Sequence, residues 1–290
     1  MENTIKNFLR KVDEATFVKK KKIGFGMKMY NETIADSLKR ASKFAEVVVI
    51  VPLDFDGPKN FSVIRDANPE EKLAAMLVSG ELDGIVRGTI DDFKTLEHYK
   101  KLTNEKCLAA PALFRIPGEY YFLLGLVTNT EGYEKEERLF IAQTIASFLK
   151  KSGIDSKIAV FAGTRHETYE RKSDVKEGTV GYLNKTYEDA EWIVKKLKDD
   201  GYVASNYTID VDVAIKDGYN ILLPVNGLVA NQIFHLLFVF GGQDFGIRIG
   251  FSKIYIDNSR NETNFEPHIK FACALANSNS DQGTVKILKP

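Results

Sequence analysis

Runs of adjacent β-branched and apolar residues, such as Val47–Val51, alternate with amphipathic helical segments almost from end to end of this chain. A strand that is apolar on both faces has to be buried on both faces. That demands a mostly parallel sheet with helices packed on each side, so the pattern predicts an α/β protein with three-layer α/β/α architecture. Ile23–Met27 reads as the first strand, and Asn31 caps a helix running to Phe44. Phe61–Ile64, a helix from Pro69 to Gly80 and a strand at Gly84–Val86 follow, with Pro69 suited to a first helical turn. Asp91 and Asp92 open a helix to about Leu102, and Leu108–Phe114 and Tyr120–Val127 read as strands separated by Pro117-Gly118.

The second half continues with a helix at Glu134–Lys151 and a strand at Lys157–Ala162. A polar stretch, Gly163–Lys185, reads as one long loop, and loops of that length are commonly functional. Helices are expected at Tyr187–Leu197, Asn226–Phe240 and Phe265–Asn277, short elements at Val211–Ala214 and Tyr219–Leu223, and strands at Ile247–Gly250 and Ile254–Ile256. Thr284–Leu288 suits a last edge strand. The pattern breaks at Thr128–Gly132, so the expected division is one α/β domain of residues 1–128 plus 252–290 and a second of 129–251. Their expected cleft is a usual place for a ligand.

Lys+Arg and Asp+Glu both count 40, so no net charge draws the chain to nucleic acid or to an anionic membrane surface. The longest apolar run, Ile233–Phe240, is too short to span a bilayer, and the polar N-terminal segment is no signal peptide. Cys107 and Cys273 are the two cysteines and offer no disulfide framework, which fits a cytoplasmic setting. The four histidines lack partners at ligand spacing, so no metal is expected.

Three strand-end segments carry the candidate chemistry. Arg87-Gly88-Thr89 ends a short strand where an α/β sheet opens its ligand crevice, and a guanidinium there suits phosphate or carboxylate; a surface arginine is the alternative. Gly163-Thr164-Arg165-His166 follows another strand and offers backbone N–H groups, a hydroxyl and cations to an anion, or is an exposed polar loop. Ser259 and Arg260 follow a third strand, with Glu266 in the first turn of the next helix as either a dipole partner or a base. Gly24 and Gly26 lack the third glycine of a dinucleotide fingerprint, yet permit a close backbone approach to a ligand.

In that order, three runs resemble the phosphate acetyl/butyryl transferase and PlsX-like phosphate acyltransferase superfamily. They are Gly80–Thr89, then Tyr219–Asn231 with Pro224 and Asn226, then Asp257–Arg260. More narrowly, Val-Arg-Gly-Thr in a chain of 290 residues resembles the methanogenesis marker protein 4 (MtxX) family. The resemblance implies a two-domain phosphotransacetylase/isopropylmalate-dehydrogenase-like fold with its site between domains. It also implies a homodimer through the second domain, which the all-round apolar helix Asn226–Phe240 would suit. Carried over, Ser259 and Arg260 hold an acyl phosphate, Glu266 stands where the transferases keep a base, and Asn226 joins the ligand-binding positions. Two departures stand out: Arg87 occupies a serine position, and Ala162–Glu167 replaces the Ser/Thr-Lys-Gly-Ser loop. Coenzyme A determinants are not recognisable. Two functions are therefore expected: an acyl- or phosphoryl-group transferase, or an accessory protein of methanogenesis that binds a small anionic metabolite without turnover.

Overall fold

The computed structural model describes residues 4–56, 58–105 and 107–279. In chain order, the first elements are α1 (Thr4–Thr16), β1 (Lys21–Gly26), α2 (Glu32–Ala41), β2 (Ala45–Pro52), β3 (Ser62–Asp66), α3 (Pro69–Ser79), β4 (Gly84–Val86) and α4 (Asp92–Thr103). Next come β5 (Ala112–Ile116), β6 (Tyr120–Leu124), α5 (Lys135–Lys151), β7 (Lys157–Phe161), α6 (His166–Lys172), α7 (Gly178–Asp199) and β8 (Val203–Thr208). The last are α8 (Val211–Lys216), β9 (Ile221–Leu223), α9 (Gly227–Val239), β10 (Gln243–Ile249), β11 (Tyr255–Asp257) and α10 (Glu266–Asn279).

Two compact units form, Leu9–Lys106 with Phe245–Pro290, and Met1–Phe8 with Cys107–Asp244. The sequence places the crossings at 128/129 and 251/252. The earlier crossing has a physical cause: β5 and β6 form an antiparallel hairpin, and β6 then pairs in parallel with β9. That ladder commits Ala112–Leu124 to the unit of β7.

In the first unit the strand order is β3-β2-β1-β4-β11-β10, parallel except for β10, which runs against β11. Val47–Val51 is buried throughout, as a central parallel strand requires. Asn31 caps α2 with its side chain accepting from the Ile34 N–H at 2.9 Å, which turns Ile34, Leu38 and Ala41 into the core. Asp91 caps α4 in the same way, at 2.8 Å from the Lys94 N–H. α3 starts on Pro69 and stops at Gly80 with φ 83°, a left-handed cap that glycine adopts without strain.

In the second unit the order is β5-β6-β9-β7-β8. One expectation fails here. The stretch 163–185 contains α6 and the first part of α7 instead of a single loop. Its helices are hard to read because α6 buries no residue, and α7 buries Gly181, Asn184 and Thr186, none of which is strongly apolar. Polar and aromatic contacts hold α6 instead: Tyr169 stacks on Tyr187 at 4.2 Å, and the Asn184 amide donates to the Lys172 and Val175 carbonyls. β8 falls where the sequence pattern predicts no element, and the short element at Val211–Ala214 is part of the helix α8. The edge strand expected at Thr284–Leu288 lies outside the described residues. Among the described residues, no helix is long and apolar enough to cross a membrane.

Candidate functional site

At the carboxyl ends of β4 and β11, Arg87 turns inward and is buried. Its Nε donates to the Asp257 carboxylate, Nη1 to the carbonyls of Gly88 and Ile90, and Nη2 to the Asn258 carbonyl. Asn258 closes the same knot: its side-chain oxygen accepts from the Gly88 N–H at 3.0 Å, and its amide donates to the Gly88 and Ser259 carbonyls. A guanidinium whose donors are spent this way fastens two strand-end loops together. Gly88 has φ 68°, and a Cβ there would lie 2.2 Å from the Gly26 carbonyl oxygen, so the β1 and β4 ends meet backbone to backbone. Thr89 Oγ1 accepts from the N–H groups of Lys28 and Met29 at 2.8 and 3.0 Å, which binds the loop after β1 to the same knot. Gly24 serves packing, since a Cβ there would meet the Leu73 and Leu82 side chains of the core.

The loop that this knot holds carries Ser259, half-buried, and Arg260, 77% exposed. Arg260 lies across Asp92 in a forked pair, Nε at 3.1 Å from one carboxylate oxygen and Nη2 at 2.9 and 3.1 Å from the two. Burial would raise the Asp92 pKa, but the Arg260 hydrogen bonds and the charges of Arg87 and Arg260 outweigh it and hold the carboxyl below its ordinary value. Asp92 is therefore an anion at neutral pH that positions Arg260 and leaves Nη1 without an acceptor among the described residues. Glu266 goes elsewhere: its carboxylate takes Arg40 Nε at 2.6 Å, and Arg40 Nη2 reaches Asn264 at 2.9 Å, tying the end of α2 to the start of α10.

Gly163, Thr164, Arg165 and Asn226 belong to the other unit. At the end of β7 the Gly163 N–H donates to Thr186 Oγ1 at 2.8 Å, Thr164 is buried, and Arg165 is exposed 3.5 Å from Asp210. Asn226 is the N-cap of α9, accepting from the Val229 N–H at 3.0 Å. Arg138 of α5, at no strand end and in no motif, is buried inside this unit. Its Nη2 donates to the Phe161 carbonyl at 2.8 Å, its Nε has no partner among the described residues, and burial pulls its pKa down to about 10. The sequence signal for it is helical spacing: Arg138 stands three and four residues before the buried Ile141 and Ala142.

Three side chains, Cys107, Glu131 and Glu137, bring potential metal-ligand atoms within 4.8 Å of one another. Burial and the two carboxylates push the Cys107 thiol well above its ordinary pKa, so it stands as a protonated thiol donating toward Glu131. Glu131 also accepts the Leu108 N–H at 2.9 Å and Glu137 the Gly132 N–H at 2.7 Å, roles that shape the loops.

No family model matches the chain. It is 26% identical over 271 residues to a Methanosarcina barkeri protein named as a candidate methyltransferase mtx subunit X, covering 91% of this chain and 96% of that protein. A Methanosarcina mazei counterpart of the same name is also 26% identical over 271 residues, covering 93% of its length. Over a shorter span of 169 residues, 57% of this chain and 66% of the other, it is 28% identical to an uncharacterized methyltransferase of Methanocaldococcus jannaschii. Among solved structures it superposes on a Streptococcus pyogenes phosphotransacetylase with TM-score 0.69 and 14% identity, covering 96% of this chain and 99% of that one. An Enterococcus faecalis branched-chain phosphotransacylase gives 0.65 and 16%, covering 88% and 98%. The α/β fold expected from the alternating strands and helices is thus the fold of the phosphotransacetylases, and along nine-tenths of its length the chain is related to the mtx subunit X proteins.

Proposed function

We propose that this chain binds a small phosphate or acyl-phosphate anion at the carboxyl ends of β4 and β11, as a phosphotransacetylase-like protein linked to methanogenesis. The observation that carries this is the Arg260–Asp92 pair: an exposed guanidinium held at a fixed angle, with one donor nitrogen unspent, on a loop fastened by Arg87 and Asn258. A pre-positioned guanidinium with Nη1 unspent suits one oxygen of an anion, and Ser259 beside it supplies a hydroxyl. Gly163, Thr164 and Arg165, at the carboxyl end of β7 in the other unit, are proposed as ligand-binding positions of that unit. The exposed apolar side chains of α9, Leu228, Leu236 and Val239, are proposed as the contact between two copies of the chain.

A second reading, an accessory protein that binds the metabolite without turning it over, is favoured by one specific feature. Asp92, Asp257 and Glu266 are all ion-paired with arginines, and Glu262 accepts the Thr263 and Asn264 N–H groups, so these carboxylates around Ser259 are engaged in structural contacts. Calorimetric titration of the protein with phosphate, acetyl phosphate and coenzyme A tests the anion site, with Arg260→Ala as the comparison. Phosphate binding that survives unchanged in Arg260→Ala overturns the site. Formation of acetyl-coenzyme A from acetyl phosphate and coenzyme A separates the transferase from the accessory reading.

A further inference from the structure

The turn from α1 into β1 reads Thr16-Phe17-Val18-Lys19-Lys20-Lys21-Lys22, and it is fastened from behind by α10. The buried Asn277 spends its side-chain amide on this turn, donating to the Ala15 carbonyl at 2.8 Å and the Lys19 carbonyl at 2.9 Å. Cys273 Sγ, one helical turn earlier, lies 3.6 Å from the Thr16 and Phe44 carbonyl oxygens. The backbone of the turn is therefore fixed, yet Phe17 is 66% and Val18 75% exposed. Buried polar groups that hold two neighbouring apolar side chains out in water pre-organise them for contact with something else.

Cations surround that tip. Lys19 and Lys20 are exposed, and Lys21 and Lys22 are half-buried at the start of β1. Lys20 Nζ donates to the Ser42 carbonyl at 2.7 Å, and the Phe17 ring meets Phe44 edge-on at 5.8 Å. The exposed Lys43, between Ser42 and Phe44, thereby joins the same patch. Among the described residues none of these five lysines is ion-paired, whereas Lys28, Lys176, Lys216 and Lys270 are. Of the nearby carboxylates, Asp13 is taken by Lys270 and Glu14 by Arg10. Glu46 lies across from Lys22 and Asp83 accepts the Lys22 N–H, so five lysines face two uncommitted acids. The chain sums to zero net charge, but this edge does not.

We propose that this edge rests on an anionic membrane surface, with Phe17 and Val18 entering the boundary between headgroups and acyl chains and Lys19, Lys20 and Lys43 meeting lipid phosphates. Charge complementarity calls for an anionic partner, and the size of the tip favours lipid over an acidic protein. A specific protein interface covers on the order of 800 Å² on each side, whereas an interfacial anchor needs only an apolar tip with cations beside it. The contact is peripheral and uses no spanning helix. It lies at the amino ends of β1 and β2; Ser259 and Arg260 follow the carboxyl end of β11, which runs parallel to β4 and β1. Membrane contact therefore leaves those two residues uncovered.

The test is co-flotation of the full chain with phosphatidylcholine vesicles made with and without phosphatidylglycerol. Capture is expected only where phosphatidylglycerol is present, and it should fade as sodium chloride screens the lysines. Lys19→Glu with Lys20→Glu should weaken capture about twentyfold or more, and Phe17→Ser and Val18→Ser about threefold or more each. Lys195→Glu with Lys198→Glu, an equal charge change on exposed lysines of α7, should leave it unaltered. Thermal unfolding confirms that every variant folds. No capture on phosphatidylglycerol vesicles overturns the proposal, as does capture that survives Lys19→Glu with Lys20→Glu. Capture indifferent to both Phe17→Ser and Val18→Ser is adsorption of a cationic edge to any polyanion, and overturns it too. Tighter binding to soluble polyglutamate than to the vesicles, sensitive to the same substitutions, assigns the edge to an acidic protein instead.

Discussion

Arg260 reaches across from the loop after β11 to lay its guanidinium on the Asp92 carboxylate at the start of α4, 168 residues away in sequence. Because Arg260 is largely exposed, this pair contributes little to stability, on the order of 0–1 kcal/mol. Its consequence is orientation. Asp92→Asn should leave the unfolding midpoint almost unchanged yet weaken phosphate binding about tenfold through lost positioning of Arg260. Calorimetry beside a denaturation curve reads both, and an unchanged phosphate affinity refutes the positioning role.

Arg87 should behave in the opposite way. Arg87→Ala strips a buried cation from Asp257 and leaves the Ile90 and Asn258 carbonyls without their guanidinium donor, while the Gly88 carbonyl keeps the Asn258 amide. Breaking a buried pair from one side costs about 3–5 kcal/mol. Urea denaturation should show that loss directly, and a variant as stable as the wild type would remove Arg87 from its structural role.

Arg138 offers the contrast. It is as deeply buried as Arg87, yet makes one hydrogen bond, to the Phe161 carbonyl, and leaves Nε unpaired. Burying a charge with so little compensation is costly, so Arg138→Met, which keeps the volume, should leave stability unchanged or raise it by about 1–2 kcal/mol. A loss above about 3 kcal/mol would show that the guanidinium has a stronger partner than the carbonyl.

Glu70 predicts a pH response. Burial opposes its charge, but hydrogen bonds from Lys28 and from backbone N–H groups, including that of Asp91, prevail and lower its pKa. A carboxyl lowered in the folded state contributes stability that is present above its ordinary pKa and lost as the medium is acidified through the lowered value. Glu70→Gln should flatten that acid limb of the stability curve, and at neutral pH cost about 1–2 kcal/mol. An unaltered acid limb in equilibrium unfolding refutes the assignment.

The apolar α9 surface bears on assembly. Leu236→Glu with Val239→Glu should convert a dimer to a monomer in sedimentation velocity without unfolding the chain, since both side chains are exposed. A wild-type protein that sediments as a monomer at tens of micromolar would exclude the proposed contact.

Much of the fold was legible because its signals are local. Asn31, Asp91 and Asn226 announce helices through a hydrogen bond three residues ahead, and Val47–Val51 announces a buried strand by composition alone. The site was legible only as a set of places. That Arg87 faces inward depends on Asp257 and Asn258, 170 residues away, and that Glu266 is taken by Arg40 depends on a partner 226 residues away. No local pattern tells a loop arginine that meets solvent from one that meets a distant carboxylate. α6 escaped for a related reason: its order comes from Tyr187 and Asn184 of the next helix, so its own seven residues carry no apolar period.

The Arg87–Asn258 knot separates what holds the loops from what they display. Since the fastening uses inward donors and main-chain oxygens, the Ser259 and Arg260 side chains can be exchanged without loosening the strand ends. A scaffold wired in this manner lets relatives diverge in what they recognise while their backbones remain superimposable.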